Sequence, residues 1–491
     1  MLENISIGYF TAPSMLPQNV LENIKDKVSH LYTRMALTVA NTTKIANGES
    51  QQVGLITPDS VDEGFQRYLD NYFNIKLINF TYHDISHYQT FKDKIEILKE
   101  KGVHNVNFIS YTNDLSPQIV TILKNRIEFA QRLDFSISVQ DVSTDKIKNK
   151  TELPADKANN KLLFSSFCTK EGIRTMPSRT IVNIEYSKNQ DGKVDKNSTI
   201  VNLNDIKREI EDILKATKNG VVIQFPKSGG GFGTFFVHNN FTNSRYVDVN
   251  AFIASLNCYT ISDPHKRDRM EGLLVAPEVE VVDGPSISFE VRNGDVLNLD
   301  FTDQILEPPK NQCVGIVFPA TDINTEDKDY MIECATKWAK HLDNIGFEGH
   351  TNLDFNYIIN ENGKKVLVVV ESNSRRTASI NVRNIAKILQ KRNGDSDIEG
   401  KIISQVFDHY LIPQGFTTQN IIDTLKGASV KMLDFKNGVY QGVALQTAAN
   451  PGNSPSLKYG EVSLMIFAGN REEVSEIDQT VKKIFKDLQT S

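Results

Sequence analysis

The chain has 491 residues, which corresponds to three or four domains of ordinary size. Its 55 basic and 61 acidic side chains give a net charge of −6, and this balance argues against a general nucleic-acid-binding or anionic-membrane-binding protein. Hydrophobic residues make up 39% of the chain and occur along its whole length, so wholesale disorder is excluded.

Cysteine spacing and hydropathy bear on the cellular compartment. The four cysteines lie far apart and form no Cys-x-x-Cys pair, which argues against a zinc site or a disulfide framework. The first residues carry an acidic Glu3 where a signal peptide needs basic residues, and no apolar run approaches the ~20 residues that span a bilayer. We therefore expect a cytoplasmic protein with no nucleic-acid or membrane partner.

The first 150 residues alternate short apolar runs with amphipathic segments, which is typical of a doubly wound α/β domain. No Gly-x-Gly-x-x-Gly motif is present there, so a dinucleotide-binding function is only weakly indicated. The runs at 35–40, 53–56, 75–80 and 106–110 predict strands, and the segments at 62–73 and 91–101 predict helices.

A Lys-rich connector at 146–150 separates this unit from the next one. A helix is predicted from Asp156 to about Glu171, and a second one from 202 to 218 with Asn204 as its cap. Strand patterns at 221–224 and 234–237 follow and flank a glycine-rich loop.

The glycine-rich loop has four glycines within five positions. Since glycine has no Cβ, backbone N–H groups in such a loop are able to converge on an anion. The flanking strands place the loop at a hairpin tip, unlike a P-loop, which runs from a strand into a helix. A flexible hairpin turn is the alternative interpretation. The residues concerned are Lys227, Ser228, Gly229, Gly230, Gly231, Phe232 and Gly233.

A second polar cluster is predicted where two neighbouring strands meet. Asp354 begins one strand, Asn362-Gly363 predicts a turn, and the next strand delivers Glu371 beside Asp354. Glu371 and Asn373 share a face because strand side chains alternate. Two carboxylates and an amide oxygen are suitable ligands for Mg²⁺. The alternative is a solvated acidic hairpin end.

Two arginines follow the predicted metal ligands. By the same alternation, Arg375 would project beside Asn373 toward phosphate oxygens, and Arg376 would point to the other face. The sequence therefore predicts that Arg375 is the functional member of the pair.

Taken in this order, the motifs resemble those of the ATP-grasp superfamily. Asp156-Lys157, with the following segment 171–177, resembles the family's first motif, and the glycine loop with its strands resembles the phosphate-covering hairpin. Residues 274–284 resemble the hinge that lines the adenine pocket, and Glu-x-Asn-x-Arg at 371–375 resembles the metal-binding motif. The resemblance covers residues 156 to about 385.

The resemblance implies specific roles for these residues. Asp354, Glu371 and Asn373 would hold Mg²⁺, and Arg375 would be catalytic. ATP would contact the seven loop residues together with Lys157, Gln224, Glu278, Glu280 and Val281.

The predicted fold is α/β, with α+β character in the ATP-grasp part. A doubly wound pre-ATP-grasp domain (1–150) precedes a two-lobed ATP-grasp module, and a small α/β domain (414–491) follows it. The module consists of a central lobe with the glycine-rich loop (151–255) and a C-terminal lobe with the metal site (256–413).

The activity that the resemblance implies is ATP-dependent ligation of a carboxylate to an amine. An acyl-phosphate would form, an amine of an amino acid or peptide would attack it, and ADP and phosphate would be released. Two alternatives remain open: loading of an amino acid onto a carrier-protein thiol, and ATP binding without turnover in a regulatory protein. The sequence is compatible with a homodimer.

Two positions depart from the usual family pattern. Gln224 stands where a second lysine contacts the nucleotide, and the segment 285–288 lacks the expected ribose-binding acid. A glutamine at this place, followed by such a loop, is similar to the pheganomycin-type peptide ligases. The missing positive charge is expected from Lys157 or Lys227, with Lys266 or Arg267 as a third choice.

Overall fold

The structure is a computed structural model of the whole chain. It describes residues 3–9, 33–57, 60–81, 87–100, 103–110, 132, 136–140, 154–192, 199–217, 220–226, 233–238, 246–261, 271–307, 312–377, 379–392, 403–450 and 459–490. None of the helices in these ranges is long and apolar enough to cross a bilayer.

The strands and helices are numbered here in chain order. The strands are β1 (Glu3–Tyr9), β2 (Gln51–Thr57), β3 (Ile75–Thr81), β4 (Val103–Ser110), β5 (Ser136–Gln140), β6 (Thr180–Asn183), β7 (Val221–Gln224), β8 (Thr234–Val237), β9 (Tyr246–Val247), β10 (Gly272–Pro277), β11 (Val281–Asp283), β12 (Pro285–Arg292), β13 (Asp295–Glu307), β14 (Gln312–Phe318), β15 (Gly349–Ile359), β16 (Lys365–Asn373), β17 (Ile403–Ile412), β18 (Gly442–Leu445) and β19 (Gly460–Ala468). The helices are α1 (Met35–Val39), α2 (Thr42–Asn47), α3 (Glu63–Phe73), α4 (Tyr88–Glu100), α5 (Pro154–Ala158), α6 (Lys161–Lys170), α7 (Leu203–Ala216), α8 (Val249–Ile261), α9 (Thr325–Asn344), α10 (Ser379–Arg392), α11 (Thr418–Gly427) and α12 (Arg471–Thr490).

The N-terminal strands form a parallel sheet with the order β3-β2-β1-β4-β5. The predicted strands at 53–56, 75–80 and 106–110 are confirmed as parts of β2, β3 and β4. The strand predicted at 35–40 is wrong, because these residues form the short helix α1. Met35, Ala36 and Leu37 are almost fully buried, and a short apolar run that is buried all round has no periodicity to separate helix from strand.

The second sheet has the order β6-β10-β7-β8-β9 and packs against α7 and α8. The antiparallel pair β7 and β8 confirms the two strands predicted on either side of the glycine loop. The helix predicted at 202–218 is confirmed as α7, but its N-cap residue is Asn202 and not Asn204. Asn202 is held at this place because its side chain bonds the backbone of Glu185 and Asn183.

The third sheet has the order β11-β15-β12-β13-β14-β17-β19-β18, with β16 paired to β15. Strands β18 and β19 lie beyond residue 414, yet they continue the sheet that carries β15 and β16. One hydrophobic core joins the apolar residues of 35–75 with those of 410–485. The domain division at 414 stays a prediction, and the sheet runs across it.

A hydrogen bond from the far end of the chain fixes the N-terminal unit on this sheet. The backbone N–H of Leu445 in β18 donates to the hydroxyl of Tyr68 in α3 at 2.9 Å. Both groups are buried, and burial raises the pKa of Tyr68. A buried donor of this kind needs its acceptor, since desolvation without a partner is unfavourable.

We predict that Tyr68→Phe lowers the stability of the protein by about 1–3 kcal/mol, because it leaves the Leu445 N–H without its acceptor. The measurement is the shift of the urea midpoint followed by circular dichroism. Tyr88→Phe is the matched control, since the Tyr88 side chain is nearly half exposed and should shift the midpoint little. Equal midpoints for the two variants would contradict the assignment.

Candidate active site

The hairpin of β15 and β16 brings the predicted metal ligands together. Asp354 pairs directly with Glu371, and Asn352 pairs with Asn373. The hairpin reverses at Asn362-Gly363, where Gly363 has a φ of +70°, a conformation that glycine adopts without strain. The register expected from the sequence is therefore confirmed.

The carboxylates of Asp354 and Glu371 face one common point. The Nδ2 of Asn373 donates to Asp354 Oδ2 at 2.6 Å and to Glu371 Oε1 at 3.1 Å. Two partly buried carboxylates that approach one nitrogen form a concentrated negative site, which requires positive charge or hydrogen-bond donors nearby.

Asp354 receives three further hydrogen bonds that the sequence did not indicate. The Ser286 hydroxyl donates at 2.6 Å, Asn352 Nδ2 at 2.6 Å and Gln304 Nε2 at 3.2 Å, all to Asp354 Oδ1. Burial, reinforced by the charge of Glu371, nevertheless raises the pKa of Asp354 to about 6. The Oδ1 atom is thus held by the protein, and Oδ2 is directed at the common point.

The opposite side of Glu371 is occupied by Lys161. Its Nζ forms an ion pair with Glu371 Oε2, and only 7% of the Lys161 side chain is exposed. Burial by itself raises the pKa of Glu371, but the charges of Lys161 and Arg375 outweigh it, so the pKa lies below its usual value. Lys161 was not predicted from the sequence, because its contact with Glu371 joins residues 210 positions apart.

A break between α5 and α6 puts Lys161 at the start of α6, beside Glu371. The sequence predicted one helix from Asp156 to about Glu171, but the chain turns at two asparagines. Asn160 caps α6 by accepting the N–H groups of Leu162 and Leu163. Its neighbour Asn159 is buried and bonds both the N–H (2.9 Å) and the C=O (3.2 Å) of Ser374. The break lets one asparagine start the helix and the other support the end of β16.

Arg375 reaches the site by a route that differs from strand alternation. Strand β16 ends at Asn373, and the Arg375 N–H donates back to the Asn373 carbonyl at 2.8 Å. The Arg375 guanidinium donates to Asn159 Oδ1 at 3.1 Å, and its charge lowers the pKa of Glu371. Arg376 is buried, and its charge contributes to the lowered pKa of His350; that its side chain points to the face opposite Arg375 stays a prediction.

The residues predicted to contact ATP are described only in part. Residues 227–232 of the glycine loop lie outside the described residues, as do Lys266 and Arg267. Gly233 is described and has a φ of +75°. Gln224 is partly buried in β7 and pairs with Thr234 of β8. Lys157 is partly buried in α5.

The predicted hinge connects β10 and β11. Glu278 accepts a hydrogen bond from the Tyr246 hydroxyl at 3.3 Å, and its N–H donates to Gly220 O at 2.9 Å. The Glu280 carbonyl accepts the N–H of Ile359 at 3.2 Å, and Val281 pairs with Ile358 of β15. The hinge therefore joins the second sheet to the third, and whether it lines a nucleotide pocket stays a prediction.

The donor set at the common point fits a hard divalent cation. Asp354 Oδ2 and Glu371 Oε1 are directed at the same point, and rotation of the Asn373 amide would present its oxygen there. In the described part of the chain, no group of three or more His, Cys, Asp and Glu side chains is arranged to hold a metal. A site here would need the amide as its third ligand.

Comparisons with known proteins give the fold. No protein-family model matches the sequence, and no curated protein does. Among solved structures, N5-carboxyaminoimidazole synthase from Aspergillus clavatus, in complex with ADP and 5-aminoimidazole ribonucleotide, matches with a TM-score of 0.50 and 11% identity over 99% of this chain and 100% of that chain. An N5-carboxyaminoimidazole ribonucleotide synthetase in complex with ADP matches with a TM-score of 0.50 and 12% identity over 99% and 98%. The chain has the ATP-grasp fold. At this identity the likeness concerns the fold alone, and it confirms the predicted fold class.

We predict that Lys161→Met destabilises the metal-free protein by about 2 kcal/mol, because Glu371, which is only partly exposed, then loses its charged hydrogen-bond partner. Added Mg²⁺ should raise the melting temperature of this variant more than that of the wild type. Melting curves in EDTA and in Mg²⁺ measure both effects. Lys170→Met is the control, since Lys170 lies exposed at the end of the same helix. An equal Mg²⁺ shift in all three proteins would contradict a metal site at Glu371.

Proposed function

We propose that this protein is an ATP- and Mg²⁺-dependent ligase that joins a carboxylate to an amine. The observation that carries the proposal is the convergence of Asp354 and Glu371 on one point, flanked by the cations Lys161 and Arg375. Carboxylates that hold Mg²⁺ beside an arginine are the groups that phosphoryl transfer requires. The fold supports the same conclusion, because its two cited relatives are solved with ADP.

Each residue of the site has a defined task in this proposal. Asp354, Glu371 and Asn373 would hold Mg²⁺, which neutralises charge on the terminal phosphates when bound. Arg375 stabilises negative charge on the transferred phosphoryl group, and Asn159 holds the guanidinium in position. No protein nucleophile is needed, since positioning and charge neutralisation supply most of the catalysis in such transfers.

The finer assignment is a peptide-bond-forming ligase of the pheganomycin type that acts through an acyl-phosphate. The substrate carboxylate takes the γ-phosphoryl group and ADP leaves; the amine of a second amino acid or peptide then attacks the carbonyl carbon and expels phosphate. Gln224 in place of lysine and the glycine loop at 227–233 support this subgroup. The contacts of Lys157, Glu278, Glu280 and Val281 with ATP belong to the same proposal.

The test is incubation of the protein with ATP, Mg²⁺ and a mixture of the twenty amino acids, followed by mass spectrometry. We expect ADP, phosphate and at least one dipeptide in equal amounts. Glu371→Gln should abolish ADP release because it removes charge from the metal site, and its amide oxygen is still able to accept from Lys161 Nζ, so a melting curve should show a folded protein. An amino-acyl adduct on an added carrier protein would favour the thiol acceptor instead. ATP binding without ADP release would favour the regulatory alternative.

The two asparagines at the helix break form a matched pair for testing how Arg375 is positioned. We predict that Asn159→Ala lowers kcat at least tenfold, since Arg375 loses its 3.1 Å partner and Ser374 loses two bonds. Asn160→Ala should cost about 1 kcal/mol of stability through the lost cap and leave kcat nearly unchanged. ADP release and thermal melting measure the two effects. A similar fall of kcat in both variants would mean that the break itself, and not the Asn159 contact, matters.

A further inference from the structure

Strand β16 contains a β-bulge directly before Glu371. Phe355 of β15 pairs with Val369 of β16. The preceding residue of β15, Asp354, pairs with Glu371, so Val370 has no partner on β15. A bulge of this kind inserts one extra residue into a strand, and it changes the direction in which neighbouring side chains point.

The bulge determines the face of β16 on which the proposed metal ligands lie. Leu367 and Val369 belong to a hydrophobic core. Strict alternation from Val369 would direct Glu371 to the same apolar face. Because Val370 is an extra residue, Glu371 instead lies opposite Asp354. A shift of one residue reverses the face of every side chain that follows it, so the metal site depends on this bulge.

Ser372 shows the same phase of the strand from the core side. The indole Nε1 of Trp338 in α9 donates to the Ser372 hydroxyl at 2.8 Å, and both side chains are buried. Trp338 is the only tryptophan of the chain. Its indole N–H therefore reports the position of the residue that lies between Glu371 and Asn373.

The bulge is held along the edge of β16 that does not pair with β15. The backbone carbonyl of Arg174 accepts the N–H of Val369 at 2.9 Å. The guanidinium of Arg179 reaches the next residue, and its Nη1 and Nη2 each donate to the Val370 carbonyl at 3.2 Å. Since Arg179 directly precedes β6, it joins the second sheet to the bulge of the third.

The chemistry of Arg179 suits this place better than that of a neutral donor. Its hydrogen bonds in the described part of the chain go to the one carbonyl of Val370. Burial lowers the pKa of the guanidinium, and Cys168 and the charge of Glu371 offset part of this effect. A planar pair of donors fixes the direction of the carbonyl as well as its distance.

We propose that Arg179 is a positioning residue of the candidate site: it holds the bulge at Val370 and so keeps Glu371 and Asn373 turned toward Asp354 for Mg²⁺. This inference rests on the proposed function, and Arg179 itself would touch neither metal nor substrate. Without the fork, the Val370 carbonyl loses two donors, and β16 is free to shift toward regular alternation. We therefore expect weaker Mg²⁺ binding in a protein that still folds.

The first test uses Mg²⁺ alone as the probe and needs no turnover. Arg179→Met, Arg179→Lys and the control Arg174→Met are compared with the wild type by thermal melting in EDTA and in increasing Mg²⁺. The control removes the same charge close by, but the Arg174 side chain is exposed over the Tyr330 ring and its bond to Val369 is made by the backbone.

The measured quantity is the Mg²⁺ midpoint, the concentration that gives half of the melting shift. It should rise about tenfold or more in Arg179→Met, as expected when a charged hydrogen-bond donor is lost. It should rise less in Arg179→Lys, which keeps the charge but not the fork, and it should stay unchanged in Arg174→Met. A loss of stability alone would lower the melting temperature without moving this midpoint.

The second test observes the bulge directly in the metal-free protein. The single indole N–H signal in a ¹H–¹⁵N spectrum belongs to Trp338. It should move upfield in Arg179→Met, because a shift of β16 weakens the bond from Trp338 to Ser372, and it should stay in place in Arg174→Met.

Four outcomes would overturn the proposal. They are a wild-type Mg²⁺ midpoint in Arg179→Met, an unmoved Trp338 signal in that variant, equal changes in Arg174→Met, and complete rescue by Arg179→Lys, which would mean that charge alone acts. If Mg²⁺ does not shift the melting of the wild type, the proposed function fails, while the Trp338 signal still decides whether Arg179 holds the bulge.

Discussion

The candidate site depends on holding two carboxylates against one point inside the protein. Asp354 and Glu371 repel each other, and burial disfavours both charges, so the arrangement persists only with compensation from elsewhere. The compensation comes from two directions. Neutral donors from β12, β13 and β15 hold one oxygen of Asp354, and Lys161 of α6 holds one oxygen of Glu371. In each case the oxygen that faces Asn373 is left for the common point.

The helix break at Asn159 and Asn160 helps to hold the cations of the site in place. In a continuous helix from Asp156, Asn160 would not be at a helix start and so would not act as an N-cap. Asn159 would also lie inside the helix instead of in the turn from which it bonds Ser374. The break also places the Lys161 N–H on the Pro226 carbonyl at 2.9 Å, at the base of the glycine loop. One residue therefore contacts β16 through its side chain and the segment that follows β7 through its backbone.

The parts of the site that sequence could predict are those set by local rules. Asp354 and Glu371 come together through one hairpin, whose turn residues and alternation are visible in the sequence. Lys161 and Arg179 meet their partners through contacts that are distant in sequence, Lys161 with Glu371 and Arg179 with Val370, and no pattern of alternation connects them. The strand predicted at 35–40 was wrong for a similar reason. The described apolar residues there are buried on all sides by tertiary contacts, so their apolar pattern does not distinguish a helix from a strand. The fold class could be predicted from the sequence because the motifs occur in a characteristic order. The continuation of the third sheet across residue 414 could not be predicted, because it depends on pairing between strands that are distant in sequence.

The charge balance of the site gives a reason for glutamine at position 224. Without metal, the charges of Asp354 and Glu371 are matched by those of Lys161 and Arg375, so the cluster is close to neutral. Under the proposed function, Mg²⁺ adds two positive charges that the phosphates of ATP would meet. A further lysine at the partly buried position 224 would add another partly desolvated charge, whereas glutamine supplies a donor without a charge. Under the same proposal, Lys161 would supply positive charge from α6, where its ion pair with Glu371 stabilises it, and a neutral residue would then suffice in β7.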